Sequence, residues 1–126
     1  MIRLKRVYER PAPDDGLRIL VERLWPRGVT KEKAKLDLWM REIAPSDGLR
    51  RWYGHEAQKW PEFRERYVRE LAVNRTAVEG LRRTLEGKAA TFIYAARDAE
   101  RNSAVVLKDY LEARAGPRVP GRPLDR

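Results

Sequence analysis

Cysteine is absent from these 126 residues, and histidine occurs once, at His55. Without cysteine there can be no disulfide scaffold, no thiolate metal site and no cysteine nucleophile. The absence also agrees with a reducing compartment. One imidazole and no thiol are too few soft ligands for a transition-metal site, so neither a metal nor another cofactor is expected. No apolar run approaches the roughly 18–20 residues that a membrane-spanning helix requires. The opening Met1-Ile2-Arg3-Leu4-Lys5-Arg6 lacks the apolar stretch of a secretory signal. These features point to a cytoplasmic protein with no membrane association. Three familiar catalytic or binding signatures are missing too: a glycine-rich phosphate loop, a His-Glu zinc motif and a nucleophile elbow.

Charge, by contrast, is plentiful: 28 Lys and Arg against 19 Asp and Glu leave a net charge of +9. An excess of this size favours acidic partners such as phosphates, nucleotides or nucleic acid. The arginines are dispersed, however, and many alternate with glutamate. In Glu62-Phe63-Arg64-Glu65-Arg66, pairing along a helix would simply solvate a surface.

Hydrophobic periodicity divides the chain into short elements. Ile2 to Tyr8 alternates and reads as a strand, with Ile2, Leu4 and Arg6 facing one way and Arg3, Lys5 and Val7 the other. Pro11 to Gly16 is a loop. Leu17 to Leu24 reads as a second strand, with a short helix as the rival reading. Thr30 to Lys33 is a polar helical turn. Leu36 to Ile43 carries Leu36, Leu38 and Met40 at period two and reads as a third strand. Ser46 is placed to cap a short helix over Leu49–Tyr53 that stops at Gly54. Trp60-Pro61 opens a longer helix with Phe63, Tyr67, Val68 and Leu71 on its apolar stripe. Another helix spans Thr76 to Leu85. Ala89 to Ala96 is a nearly continuous apolar run, suited to a central parallel strand covered on both faces. Ser103 to Ala113 is the last helix. The segment 115–126, rich in proline and arginine, reads as a flexible basic tail after a domain spanning 1–114.

Strands followed by helices, then a buried strand and a helix, imply an α/β fold. The expected form is a single small domain with a mostly parallel four-stranded sheet flanked by helices. Ligands of such sheets bind beyond the carboxyl ends of the strands. That rule selects the segments after the second, third and fourth strands. The first holds Arg23-Leu24-Trp25-Pro26-Arg27-Gly28, a turn bearing two guanidinium groups and an indole. Arg23, Arg27 and Arg50 are the candidate anion holders. Ser46, Asn102 and Ser103 are candidate hydrogen-bond donors, and Asn102 or Ser103 could equally be a plain helix cap. His55 and Asp98 are the candidate acid–base groups, His55 with the alternative of an electrostatic helix cap. Trp25 and Trp52 sit near turns, where a ligand ring could stack, whereas Trp39 and Trp60 suit the core. The leading functional expectation is a small anionic ligand, a phosphate or carboxylate, with or without catalysis. A nucleic-acid-binding module and a non-catalytic protein-interaction scaffold are the alternatives.

Arg23-Leu24-Trp25-Pro26-Arg27-Gly28, Leu36-Asp37-Leu38-Trp39, Ile43-Ala44-Pro45-Ser46 and Leu49-Arg50 with Trp52, Gly54 and His55 occur in that order. Together with Phe63, Tyr67, Glu70 and Leu71, Tyr94-Ala95-Ala96, and Asn102 with Ala104, Val106 and Leu107, this series resembles the YeaO-like family of uncharacterised bacterial and archaeal proteins. The resemblance covers Ile2 to about Ala113 and implies a compact α/β domain with no established reaction. Two positions depart from the family pattern. Glu22 stands where Asp is more usual, and Arg101 stands where a His often precedes Asn102. The second departure argues against chemistry built on a His pair and adds a cation near the proposed anion site.

Overall fold

The computed structural model describes residues 2–115. In chain order its elements are β1 (Ile2–Arg6), β2 (Leu17–Leu20), α1 (Lys31–Ala34), β3 (Leu38–Trp39), α2 (Asp47–Tyr53), α3 (Trp60–Val73), α4 (Arg75–Leu85), β4 (Ala90–Tyr94) and α5 (Ser103–Ala115). The strands form one four-stranded sheet in the order β1-β4-β2-β3, and every pairing is parallel. The expected α/β domain is therefore present, with a sheet that is wholly rather than mostly parallel. The basic segment beyond Ala115 lies outside the described residues.

The apolar run becomes β4, buried along its whole length between β1 and β2. Its side chains divide between two clusters. Ala90, Phe92 and Tyr94 join Ile2, Ile19, Phe63, Tyr67, Leu81 and Leu107 on the face covered by α3, α4 and α5. Ile93 joins Val7, Leu20 and Ala34 on the other face, roofed by Trp25, Val29 and Trp39. The alternation expected for β1 holds, since Ile2 and Leu4 pack in the first cluster and Val7 in the second.

The second face is not apolar throughout. Arg18 is buried and donates through Nε and Nη2 to the Ala34 carbonyl, through Nε to that of Lys35, and through Nη1 to Asp15 Oδ2 at 2.7 Å. Thr91 Oγ1 donates to the Asp15 carbonyl at 2.7 Å, and Lys5 Nζ reaches Asp15 Oδ1 at 2.8 Å. The polar groups enclosed beneath α1 therefore have partners, as buried polar groups require.

All four expected strands are shorter in the structure, β1 and β4 by a residue or two at their ends and two others by half or more. β2 stops at Leu20 rather than Leu24. Val21 N–H still reaches the Ile93 carbonyl at 3.2 Å, but the next available donor, Ala95 N–H, goes to the side chain of Glu22 at 3.0 Å. A carboxylate thus replaces the ladder where the two chains part. β3 is only Leu38–Trp39, instead of Leu36 to Ile43, because the chain leaves the sheet in a 3-10 turn over Arg41–Ile43. That turn carries Ile43 into the helix-side core, where its carbonyl accepts the Tyr67 hydroxyl at 2.6 Å.

The helices follow their predicted signals. Ser46 Oγ accepts Leu49 N–H at the start of α2, and Gly54 ends that helix in the left-handed region. Pro61 lies in the first turn of α3, and Phe63, Tyr67 and Leu71 are its buried stripe. Among the described residues no helix is long and apolar enough to cross a membrane, and no cluster of three or more His, Asp or Glu side chains is disposed to hold a metal.

Candidate functional site

Beyond the carboxyl ends of the strands the chain opens into a cavity of about 440 Å³. Four segments form its walls: Glu22 to Arg27 after β2, Ala44-Pro45 after the 3-10 turn, Arg50, Arg51 and Tyr53 to His55 on α2 and its C-terminus, and Ala95-Ala96 with Asn102-Ser103 between β4 and α5. A cavity of similar volume, about 460 Å³, lies where α4 and the end of α5 meet β1, lined by Ile2, Arg82, Leu85 and Leu111 among others. It gathers none of the residues nominated from sequence. The strand-end crevice gathers Arg23, Trp25, Arg27, Arg50, His55, Asn102 and Ser103.

Two arginines frame the crevice by holding main-chain carbonyls. Arg6 donates to Ala96 O at 2.8 Å and Ala95 O at 3.2 Å. Arg23 donates from Nε to Pro45 O at 2.9 Å and from Nη2 to Ala44 O at 3.2 Å. Arg23 thus uses two of its three nitrogens to fix the loop opposite, leaving Nη1 as its spare arm.

The Trp25 turn is held from within. Its indole N–H donates to Val29 O at 2.7 Å, and its ring meets Trp39 edge-on at 5.4 Å. The Trp39 indole in turn donates to Glu22 O at 2.7 Å. Tyr8 closes the outer side by donating its hydroxyl to Arg27 O at 3.1 Å. The Arg27 side chain is exposed at the rim.

On the opposite wall, Arg50 Nη2 bonds Asp47 Oδ1 at 3.1 Å, while its Nε is buried without a hydrogen-bond partner. His55 is one of two non-glycine residues with positive φ among the described residues (φ 61°), directly after Gly54 at φ 52°. This double left-handed step brings the imidazole to 6.0 Å from the Tyr53 ring at the cavity edge. Tyr53 stacks on Phe63 at 4.3 Å and donates its hydroxyl to Arg101 O at 3.2 Å.

The remaining nominated residues serve their own loops. Asn102 is buried; its Oδ1 caps α5 by accepting Val105 N–H at 3.0 Å, and its Nδ2 donates to Asp98 O at 2.8 Å. Both ends of this amide are therefore committed. Ser103 follows it and lines the cavity. Asp98 lies outside the cavity lining and accepts Glu100 N–H, Arg101 N–H and the Arg101 guanidinium. Those bonds, led by the one from Glu100, hold its carboxyl below the usual range. Ser46 donates to Glu70 Oε2 at 2.6 Å while capping α2. Trp52 has the cations of Lys59 and Arg66 over its ring, at 5.1 and 4.4 Å from the centroid. Neither Ser46 nor Trp52 lines the crevice.

Sequence reasoning passed over Glu22 and Arg51. Arg51 is an exposed cation beside Arg50 on the cavity wall. Glu22 lines the cavity half-buried, and burial pushes its carboxyl above the usual range. The Ala95 N–H and the positive fields of His55 and Arg50 offset part of that rise. Its sequence signals are an acidic residue next to Arg23 in a segment otherwise basic and apolar, and the Asp more usual at that position in the family pattern.

A family model described as "Inactive DUF488-N3 subclade" matches residues 1–119. The chain belongs to the DUF488 family. This bears out the YeaO-like resemblance. The uncharacterized protein YeaO of Escherichia coli K12 is 40% identical over 112 residues, covering 89% of this chain and 97% of that protein. An uncharacterized protein of Mycobacterium tuberculosis H37Rv is 39% identical over 113 residues, covering 90% of this chain and 95% of its own. An uncharacterized protein of Mycobacterium bovis matches with the same identity and coverage. No solved structure matches the chain. As a DUF488 domain, the protein builds its crevice from the segments that carry the family resemblance, 23–28, 43–46, 49–55 and 94–96.

Proposed function

We propose that this DUF488 domain binds a small molecule bearing a carboxylate or phosphate in the strand-end crevice, and that it does so without turning the ligand over. One observation carries the reading: the buried Arg50 Nε lacks a partner in the wall of a cavity that also presents Arg51 and His55. An unsatisfied buried donor is costly, and a turn of the partly exposed Arg50 side chain would offer its guanidinium to an anion in the cavity. Arg23 and Ser103 line the same cavity and would add contacts from the spare guanidinium nitrogen and the hydroxyl. Tyr53, Phe63 and Trp25 give the apolar walls usual in small-molecule sites. Binding without turnover is favoured by the word "inactive" in the matched description and by the engagement of Asp98 within its own loop.

The nucleic-acid reading has less support. Much of the basic charge on the long helices is locally paired, as in Arg66 with Glu62, Arg64 with Asp109 and Lys108 with Glu112. A thermal-shift panel of small carboxylates, sugar phosphates and short oligonucleotides, at low and moderate salt, separates the readings. A ligand at a hundred times its Kd stabilises the fold by about 2.7 kcal/mol. A shift from a small anion that persists with salt and disappears in Arg50→Gln is the expected result. Shifts with oligonucleotides alone, fading steeply as salt rises, would replace this reading with nucleic-acid binding.

A further inference from the structure

The crevice holds one orphaned donor and one carboxylate that has a single protein partner. The donor is Arg50 Nε. The acceptor is Glu22: its Oε2 receives Ala95 N–H at 3.0 Å, but the carboxylate makes no ion pair among the described residues and has no other protein donor. The cations around it form no ion pair with it: Arg23 bonds the Pro45 and Ala44 carbonyls, and Arg50 Nη2 bonds Asp47. A ligand that is only an anion would satisfy Arg50 while bringing a second negative charge into the same small cavity as Glu22. Glu22 would then stay without a counter-charge of its own. A ligand with a donor beside its anionic group would satisfy both ends.

We propose that the ligand is amphoteric, a small α-amino acid with an apolar side chain, whose carboxylate is met at Arg50 and whose ammonium is met by Glu22. The apolar part lies against Tyr53, Phe63 and Trp25. The inference rests on the anion-binding reading above and adds Glu22 as the residue that sets specificity. It also gives the Glu22–Ala95 bond a second role. The bond that replaces the β2–β4 ladder holds the carboxylate in place, so the ligand meets a fixed acceptor rather than a mobile side chain.

Isothermal titration of the full chain with L-phenylalanine and L-leucine, each against its deaminated counterpart (3-phenylpropionate and 4-methylpentanoate), tests this directly. The expected result is binding of at least one amino acid, with its deaminated counterpart at least tenfold weaker. In Glu22→Gln, which keeps an acceptor for Ala95 N–H, that gap closes. Equal binding of the amino acid and its deaminated counterpart by the unaltered chain overturns the amphoteric inference and leaves the anion reading standing. If neither amino acid binds while another small anion does, the same conclusion follows. Silence from every small anion overturns both. The comparison within the unaltered chain decides the matter even if Glu22→Gln does not fold.

Discussion

The Arg23 Nε donates to the Pro45 carbonyl at 2.9 Å, tying the loop after β2 to the turn that opens α2. With the second bond to Ala44 O, this arginine is a strut of the crevice before it is anything else. Arg27, four residues on, has an exposed side chain. Arg23→Ala should therefore lose about 1.5–3 kcal/mol of stability, the range for hydrogen bonds from a charged group. Arg27→Ala should stay within about 0.5 kcal/mol of the parent. Urea unfolding midpoints of the two variants check the contrast. Equal effects would mean that the Arg23 clamp does not hold in solution.

The Asp15–Arg18 pair gives a prediction in pH. Burial alone would raise the Asp15 carboxyl, but hydrogen bonds from Lys5, Ala12 N–H and Arg18 outweigh it and hold the group down to about 2. The folded value thus lies below the ordinary aspartate value of 3.8. The resulting stability is present in full above that value and is lost as pH falls towards about 2. Urea midpoints measured from pH 5 to pH 2 should decline across this window, and the Asp15→Asn profile should be flatter. Removing the carboxylate leaves Arg18 buried without its counter-charge, so Asp15→Ala should cost about 3–5 kcal/mol.

Gly16 has no room for a side chain. It sits at φ 66°, and a Cβ built there would collide with the Ala89 carbonyl group. Backbone, unlike a flexible side chain, cannot swing aside. Gly16→Ala should be among the most damaging single changes, at about 4 kcal/mol or more. Gly87, also at positive φ (70°), meets nothing within contact distance. Its alanine variant should carry only the strain of the left-handed region, about 1 kcal/mol. Thermal midpoints of the two variants give the comparison.

Asn102 and Ser103 are neighbours with different work. Asn102→Ala removes the α5 cap and leaves the Asp98 carbonyl without its donor, for a loss of about 1–2 kcal/mol. Asn102→Asp keeps an acceptor for Val105 N–H and should recover part of that. Ser103→Ala should leave stability nearly unchanged, while weakening small-anion binding under the proposed function. Parallel unfolding and titration experiments on the three variants distinguish cap from contact.

Much of the fold can be read along the chain because its causes are local. The run Ala90–Tyr94 is apolar at every position but Thr91, a pattern that suits a strand covered on both faces. Ser46, Gly54 and Pro61 mark helix ends through backbone chemistry that requires no distant partner. The rule that ligands sit beyond parallel strand ends then brought Arg23, Arg50, His55 and Ser103 to one candidate crevice. Where local pattern and tertiary need diverged, pattern failed. Leu36, Leu38 and Met40 alternate like a strand, yet the chain turns after Trp39 because Ile43 is drawn into the helix-side core.

The sequence by itself determined the α/β class, the parallel sheet, the helix starts and the arginine-rich turn, since each depends on residue type and near-neighbour spacing. Only the tertiary structure decided which polar groups are already engaged. Arg23 clamps carbonyls 21 and 22 residues away, Glu22 takes an N–H 73 residues away, and Arg50 Nε is left buried without a partner. Hydrogen-bond satisfaction is a property of packed geometry. No spacing along the chain records whether a donor or acceptor has found its partner once the core has closed around it.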